Sequence, residues 1–141
     1  MQKSMPIGSL AEHTGVKVPT IRYYESVGLL PEPERTDSNR RTYGPDAVRR
    51  LRFIRHAREL GFEVDAIRQL IGLADQPDQP CHVADAIARS HLADIDHKIA
   101  RLVALRVEVQ SMVEQCAQGR IRECRVIEVL GDHGACASPS H

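Results

Sequence analysis

The stretch Ser9-Leu10-Ala11-Glu12-His13-Thr14-Gly15-Val16-Lys17-Val18-Pro19-Thr20-Ile21-Arg22-Tyr23-Tyr24-Glu25 decides the fold. It holds two short helical patterns and a turn. The first pattern stops at Thr14-Gly15; the second runs from Val18 to Gly28, with Pro19 in its first turn, where a missing N–H costs nothing. Two short helices joined by a Gly-containing turn of three or four residues make a helix-turn-helix, whose second helix can enter a major groove. Arginine on that helix can reach guanine edges or phosphate, and tyrosine hydroxyls can hold phosphates. Of Tyr23 and Tyr24, one is expected to pack between helices, and Tyr24 is the candidate.

Downstream, Pro31-Glu32-Pro33 and Thr36-Asp37-Ser38-Asn39-Arg40-Arg41-Thr42-Tyr43 frame a very short extended pair. Arg40, Arg41 and Tyr43 fall at its tip and return, where a wing would lie over the DNA backbone. Gly44-Pro45 opens a third helix, with Val48, Leu51, Ile54 and Ala57 at helical spacing, arginines on the other faces, and Gly61 at its end. A fourth helix, Val64 to Leu73, turns Ile67, Leu70 and Ile71 inward; Glu63 is a poor cap for it.

Asp75-Gln76-Pro77-Asp78-Gln79-Pro80 interrupts the chain, and the longest periodic segment follows, from about Val83 to Cys116. Ile95, Leu102, Val109 and Cys116 stand seven apart, with Leu105 and Met112 between them, which is a heptad seam. Such a helix spans about 50 Å at 1.5 Å per residue and finds no partner of its length in the chain. A second copy is the simplest partner, in an antiparallel or parallel coiled coil.

Composition narrows the function. Aromatics are 4% and Trp is absent, so the core is aliphatic, which suits helices. The longest apolar run, Leu70 to Ala74, is far too short to cross a bilayer, and the N-terminus lacks the apolar stretch of a secretion signal. The expected compartment is the cytoplasm, with no membrane partner. Thiols stay reduced there, so Cys81, Cys116, Cys124 and Cys136 read as metal ligands or reactive thiols before disulfides. The net charge is zero but unevenly spread: eight arginines oppose Asp37 and Asp46 between Arg35 and Arg58, whereas the chain from Gln76 onward is slightly acidic. This asymmetry fits a nucleic-acid module joined to another function, and composition alone leaves a solvated helix face equally open. No Cys-His-acid arrangement for a nucleophile is recognisable, so an enzyme is not expected.

Ile7-Gly8-Ser9-Leu10-Ala11, Thr14-Gly15-Val16, Thr20-Ile21-Arg22-Tyr23-Tyr24-Glu25 and Gly28-Leu29-Leu30 resemble the N-terminal half of the MerR family of regulators. Arg41-Thr42-Tyr43, Leu51-Arg52-Phe53-Ile54 and Glu59-Leu60-Gly61-Phe62 extend the match, which covers about the first 73 residues and continues through the long helix. The resemblance implies a mainly α protein: a winged helix-turn-helix over residues 1–75, a linker and antiparallel coiled-coil dimerisation helix over 76–117, and a metal-binding loop, short helix and tail over 118–141. It places Thr20, Arg22 and Tyr23 on the recognition helix and Arg41 and Tyr43 on the wing. Lys17 stands where the family often has a Ser cap and Arg40 where it often has Tyr. Both add positive charge to the DNA-binding set.

The resemblance also implies that sensing lies after this half. In an antiparallel dimer the start of one long helix meets the end of the other, which would bring Cys81 of one protomer to Cys116 and Cys124 of its mate. The resemblance points to a divalent ion (zinc, cadmium, lead or mercury), since a cysteine at the start of the dimer helix marks the sensors of those ions. Divalent ions prefer three or four ligands, whereas two thiolates suffice for copper(I). A fourth ligand would be water or a nitrogen such as His82. Cys124, preceding a short helix and flanked by Arg120, Arg122 and Arg125, is in a setting that favours thiolate. The tail bearing His133, Cys136 and His141 is expected to be disordered, with a second, looser metal site as its functional alternative. The implied function is a homodimeric activator of metal-resistance or efflux genes that distorts double-stranded promoter DNA for RNA polymerase. Copper(I) sensing by Cys116 and Cys124, or thiol redox sensing, are the rivals.

Overall fold

The computed structural model describes residues 4–115, 119–132, 134 and 136. They form six α-helices, a two-stranded wing and one short 3-10 turn. Two compact units divide within the long helix, one ending at Ile87 and the other beginning at Ala88.

In the first unit, α1 (Ile7–Thr14) and α2 (Val18–Ser26) are the expected helix pair. Gly15 adopts φ 72°, the left-handed conformation that ends α1, and its N–H bonds the Ala11 carbonyl at 2.8 Å. The buried Thr14 hydroxyl donates to the Leu10 carbonyl at 2.8 Å and accepts from the Val16 N–H at 3.3 Å, which closes the turn. Gly28, at φ 80°, ends α2, and the N–H groups of Leu29 and Leu30 both return to the Tyr24 carbonyl.

Strands β1 (Glu34–Arg35) and β2 (Arg41–Thr42) pair antiparallel, Glu34 opposite Thr42 and Arg35 opposite Arg41. Asn39 at φ 63° makes the tip. Met5 bonds both backbone groups of Tyr43, at 2.7 and 2.8 Å, which fastens the wing's return to the N-terminal segment. Helices α3 (Pro45–Glu59) and α4 (Val64–Ala74) complete this unit. Its core is aliphatic, as composition required: Leu10, Ile21, Leu29, Leu51, Ile54 and Ile67 are fully enclosed, with Tyr24 and Tyr43 as its aromatics.

The α3 arginines act mostly inside this unit. Arg55 donates to the Thr14 carbonyl at 2.6 Å and pairs with Glu59 at 3.0 Å. Arg50 holds Asp75 through both carboxylate oxygens at 3.0 Å, Arg58 donates to the Phe62 carbonyl at 2.9 Å, and Arg49 pairs with Asp46. Arg68 of α4 reaches the Val27 carbonyl beyond the end of α2. Part of the basic run is thus engaged within the fold, Arg55 and Arg58 on backbone carbonyls near helix ends and Arg49 and Arg50 on carboxylates.

Helix α5 (His82–Glu114) is the long helix, and no described helix is long and apolar enough to cross a membrane. In the second unit it is followed by a 3-10 turn (Ile121–Glu123) and α6 (Arg125–Gly131). Leu92, Ile99, Leu102, Val103, Val109 and Val113 of α5 are all more than half exposed. Steps of three, four and seven link them, so they form one apolar stripe along the helix. Ile95, Leu105 and Met112 of the expected seam are half-buried already, the latter two on the same face as Glu108, the buried residue of α5. Cys116, the last seam position, lies outside the described residues.

Candidate nucleic-acid and metal-binding sites

The recognition helix presents a mixed polar face. Lys17 is exposed at the cap position of α2, Thr20 is half-buried, and Arg22 and Tyr23 are exposed, Tyr23 by 52%. Tyr24 is buried, and its ring meets that of Tyr23 at 5.9 Å with a 49° tilt. The core ring thereby backs the exposed one, an arrangement worth about 0.5–1.5 kcal/mol beyond burial.

On the wing, Arg40 is exposed at the tip and Arg41 half-exposed on β2. Tyr43 sits elsewhere than a DNA-facing wing residue would: it is 3% exposed, and its hydroxyl donates to the Oε1 oxygen of Glu25. Burial, then the hydrogen bond to Glu25, push its pKa up to about 12. The second oxygen of Glu25 accepts from Arg41 Nη1 at 3.1 Å. A cleft of about 240 Å³ opens between α2 and the wing, lined by Arg22, Glu25, Glu32, Arg35 and Arg41. Sequence reasoning gave Glu25 and Arg35 no role. No local signal marks them, because the cleft forms only when residues nineteen positions apart meet.

Cys81 is exposed in the residue before α5, and His82 is the exposed first residue of that helix. Cys124 is half-buried between the 3-10 turn and α6. Two of its flanking arginines face carboxylates, Arg122 with Glu123 at 3.9 Å and Arg125 with Glu128 at 3.1 Å, which offsets their charge at the thiol. No described cysteine is in a disulfide. The donor chemistry suits a soft ion, since thiolate and imidazole are ligands such ions prefer. Among the described residues, however, no three His, Cys, Asp or Glu groups of one protomer come together to hold one.

Cys136 hydrogen-bonds Glu108, whose side chain is almost fully enclosed although α5 is otherwise largely exposed. Desolvation, then Glu108, hold the Cys136 thiol above the usual thiol range, while Arg125 opposes that shift. His133 and His141 lie outside the described residues.

The family model for MerR helix-turn-helix regulatory proteins matches residues 5–72, and that for MerR, DNA binding, matches residues 48–112. The mercuric resistance operon regulatory protein of Bacillus cereus is 39% identical over 125 residues, 88% of this chain and 95% of that protein. Among solved structures, the transcription regulator PbrR691 of Ralstonia metallidurans CH34, in complex with lead(II), superposes with TM-score 0.79 at 38% identity, covering 89% of this chain and 98% of that one. The MerR regulator of Bacillus megaterium MB1, in complex with mercury(II), gives TM-score 0.61 at 35% identity, over 91% of this chain and 100% of that one. This chain belongs to the MerR family of helix-turn-helix, DNA-binding transcription regulators.

Proposed function

We propose that the chain is a metal-responsive transcription regulator that works as a homodimer and binds a divalent thiophilic ion at a site built by both protomers. The single observation that carries this reading is the chain order: the exposed Cys81 directly precedes α5, whose apolar stripe is exposed, and Cys124 follows that helix at the start of α6. Its relatives include a mercuric resistance regulator and regulators solved with lead(II) and mercury(II). The division of labour is residues 1–75 for DNA, 76–117 for dimerisation and 118–141 for the sensor. The protein acts by binding and not by catalysis, in the cytoplasm where promoter DNA is found.

Lys17, Thr20, Arg22, Tyr23, Arg40 and Arg41 meet the double helix, while Tyr43 holds the wing in place. A symmetric dimer sets two recognition helices about 34 Å apart in successive major grooves. Cys81 of one protomer, with Cys116 and Cys124 of the other, supplies the thiolates, and His82 stands beside Cys81 as a nitrogen donor. Those residues would hold an ion of the class of zinc, cadmium, lead and mercury, which would tie the two protomers together. Distorting promoter DNA for RNA polymerase costs on the order of 1–6 kcal/mol. The ion drives that change only to the extent that it binds one dimer state more tightly.

Anaerobic titration of the reduced dimer, wild type beside Cys81→Ser, tests the metal assignment through thiolate-to-metal absorption. Tight binding of divalent ions that is lost in the variant is the expected result. Tight binding of copper(I) alone, indifferent to Cys81→Ser, would overturn it.

A further inference from the structure

The base of the cleft between α2 and the wing holds a buried carboxylate. Glu25 lies in the last turn of the recognition helix, with its side chain 9% exposed, and both of its oxygens are taken by wing residues. Oε2 accepts from Arg41 at 3.1 Å and Oε1 accepts from the Tyr43 hydroxyl. Arg41 remains 37% exposed, so its guanidinium is held on one side and open on the other.

The wing needs such a tie. Its strands are two residues each, and a lone two-stranded ribbon of that size is marginal in water. Met5 fastens the base of the wing at Tyr43, and Glu25 is what links its side chains to the recognition helix. The cleft also gathers Arg22 and Arg35, whose charges repel Arg41 unless an acid sits among them. A charged acceptor orients a guanidinium more strongly than a neutral one.

We propose that Glu25 is a positioning residue for DNA binding: it locks the wing to the recognition helix and aims the open side of Arg41 at a backbone phosphate. Glu25 itself, being acidic and enclosed, does not touch DNA. This rests on the reading of Arg41 as a DNA contact, and the test separates the two.

The experiment is a double-mutant cycle on the full-length dimer, with Glu25→Gln, Arg41→Ala and the pair. Affinity for an operator selected from random duplexes is measured across a salt series, and thermal melting is followed in parallel. Glu25→Gln keeps shape and an acceptor for Tyr43 while removing the charge that holds Arg41. Each single variant is expected to lose about tenfold or more in affinity and to lower the slope of log K against log salt by about 1.8, the signature of two phosphate contacts at about 0.9 each, one from either protomer. The pair is expected to be no worse than Arg41→Ala alone. A merely structural Glu25 would lower the melting temperature, leave the salt slope unchanged and add its loss to that of Arg41→Ala, which would overturn the proposal. Full affinity in Glu25→Gln beside a loss in Arg41→Ala would overturn it while leaving Arg41 as a contact. No loss in Arg41→Ala would overturn both.

Discussion

Gly15 carries two constraints at one position. Its φ of 72° suits glycine, and a Cβ there would run into the Arg55 guanidinium that caps α1 through Thr14. Gly15→Ala should lower unfolding stability by at least about 1–2 kcal/mol, the usual cost of a left-handed alanine, in denaturant titration. Tyr43 offers a test by pH. Its pKa is raised from 10.0 to about 12 in the fold, so the stabilisation tied to its proton is complete below pH 10 and fades as pH rises towards 12. Wild type should therefore lose stability over that interval relative to Tyr43→Phe, whose phenyl ring has no proton to lose. Equal pH profiles would place the hydroxyl outside the buried bond to Glu25. At this scale the sequence was partly legible. Gly15, Pro19 and Gly28 announce the helix-turn-helix, because backbone geometry depends on those residue types locally. The burial of Tyr43 and the bracing roles of Arg50 and Arg55 were not legible, since their partners lie eighteen to forty-one positions away in the chain.

The long helix sets a problem of elements. An exposed stripe of Leu92, Ile99, Leu102, Val103, Val109 and Val113 costs free energy in water, and a second α5 would cover it. Replacing Ile99 and Leu102 together by Glu should weaken the dimer by about a hundredfold or more, given roughly 1.5–3 kcal/mol per buried side chain, with the shift to monomer read by sedimentation. Helicity should persist, and operator affinity should fall with dimerisation. The heptad period makes this helix legible, and Leu102 and Val109 of its seam lie on the exposed stripe, because period survives in any sequence that buries one face. Leu105 and Met112, the intermediate positions of the same seam, are half-buried and flank the buried Glu108. An enclosed acid on a helix reads as a solvent-facing residue until Cys136, twenty-eight positions on, is seen to bond it. Cys136, half-buried and beside Glu108, should alkylate more slowly than the exposed Cys81 in metal-free protein, and Glu108→Ala should narrow the difference.

At the scale of the whole molecule, the proposed metal site draws its ligands from two copies. Family membership and the lead- and mercury-bound relatives support a thiophilic ion. The order of the thiols along the chain, Cys81 before α5 and Cys124 after it, supports a site shared by two chains. The most direct test mixes two inactive proteins, Cys81→Ser and Cys124→Ser, as differently tagged protomers, and titrates the purified mixed dimer with lead(II) or mercury(II) under anaerobic conditions. A shared site predicts that each parent dimer has lost tight binding, while the mixed dimer regains one ion per dimer with full thiolate-to-metal absorption, because one interface keeps both cysteines. No recovery in the mixed dimer would contradict the account and place all the ligands within one chain.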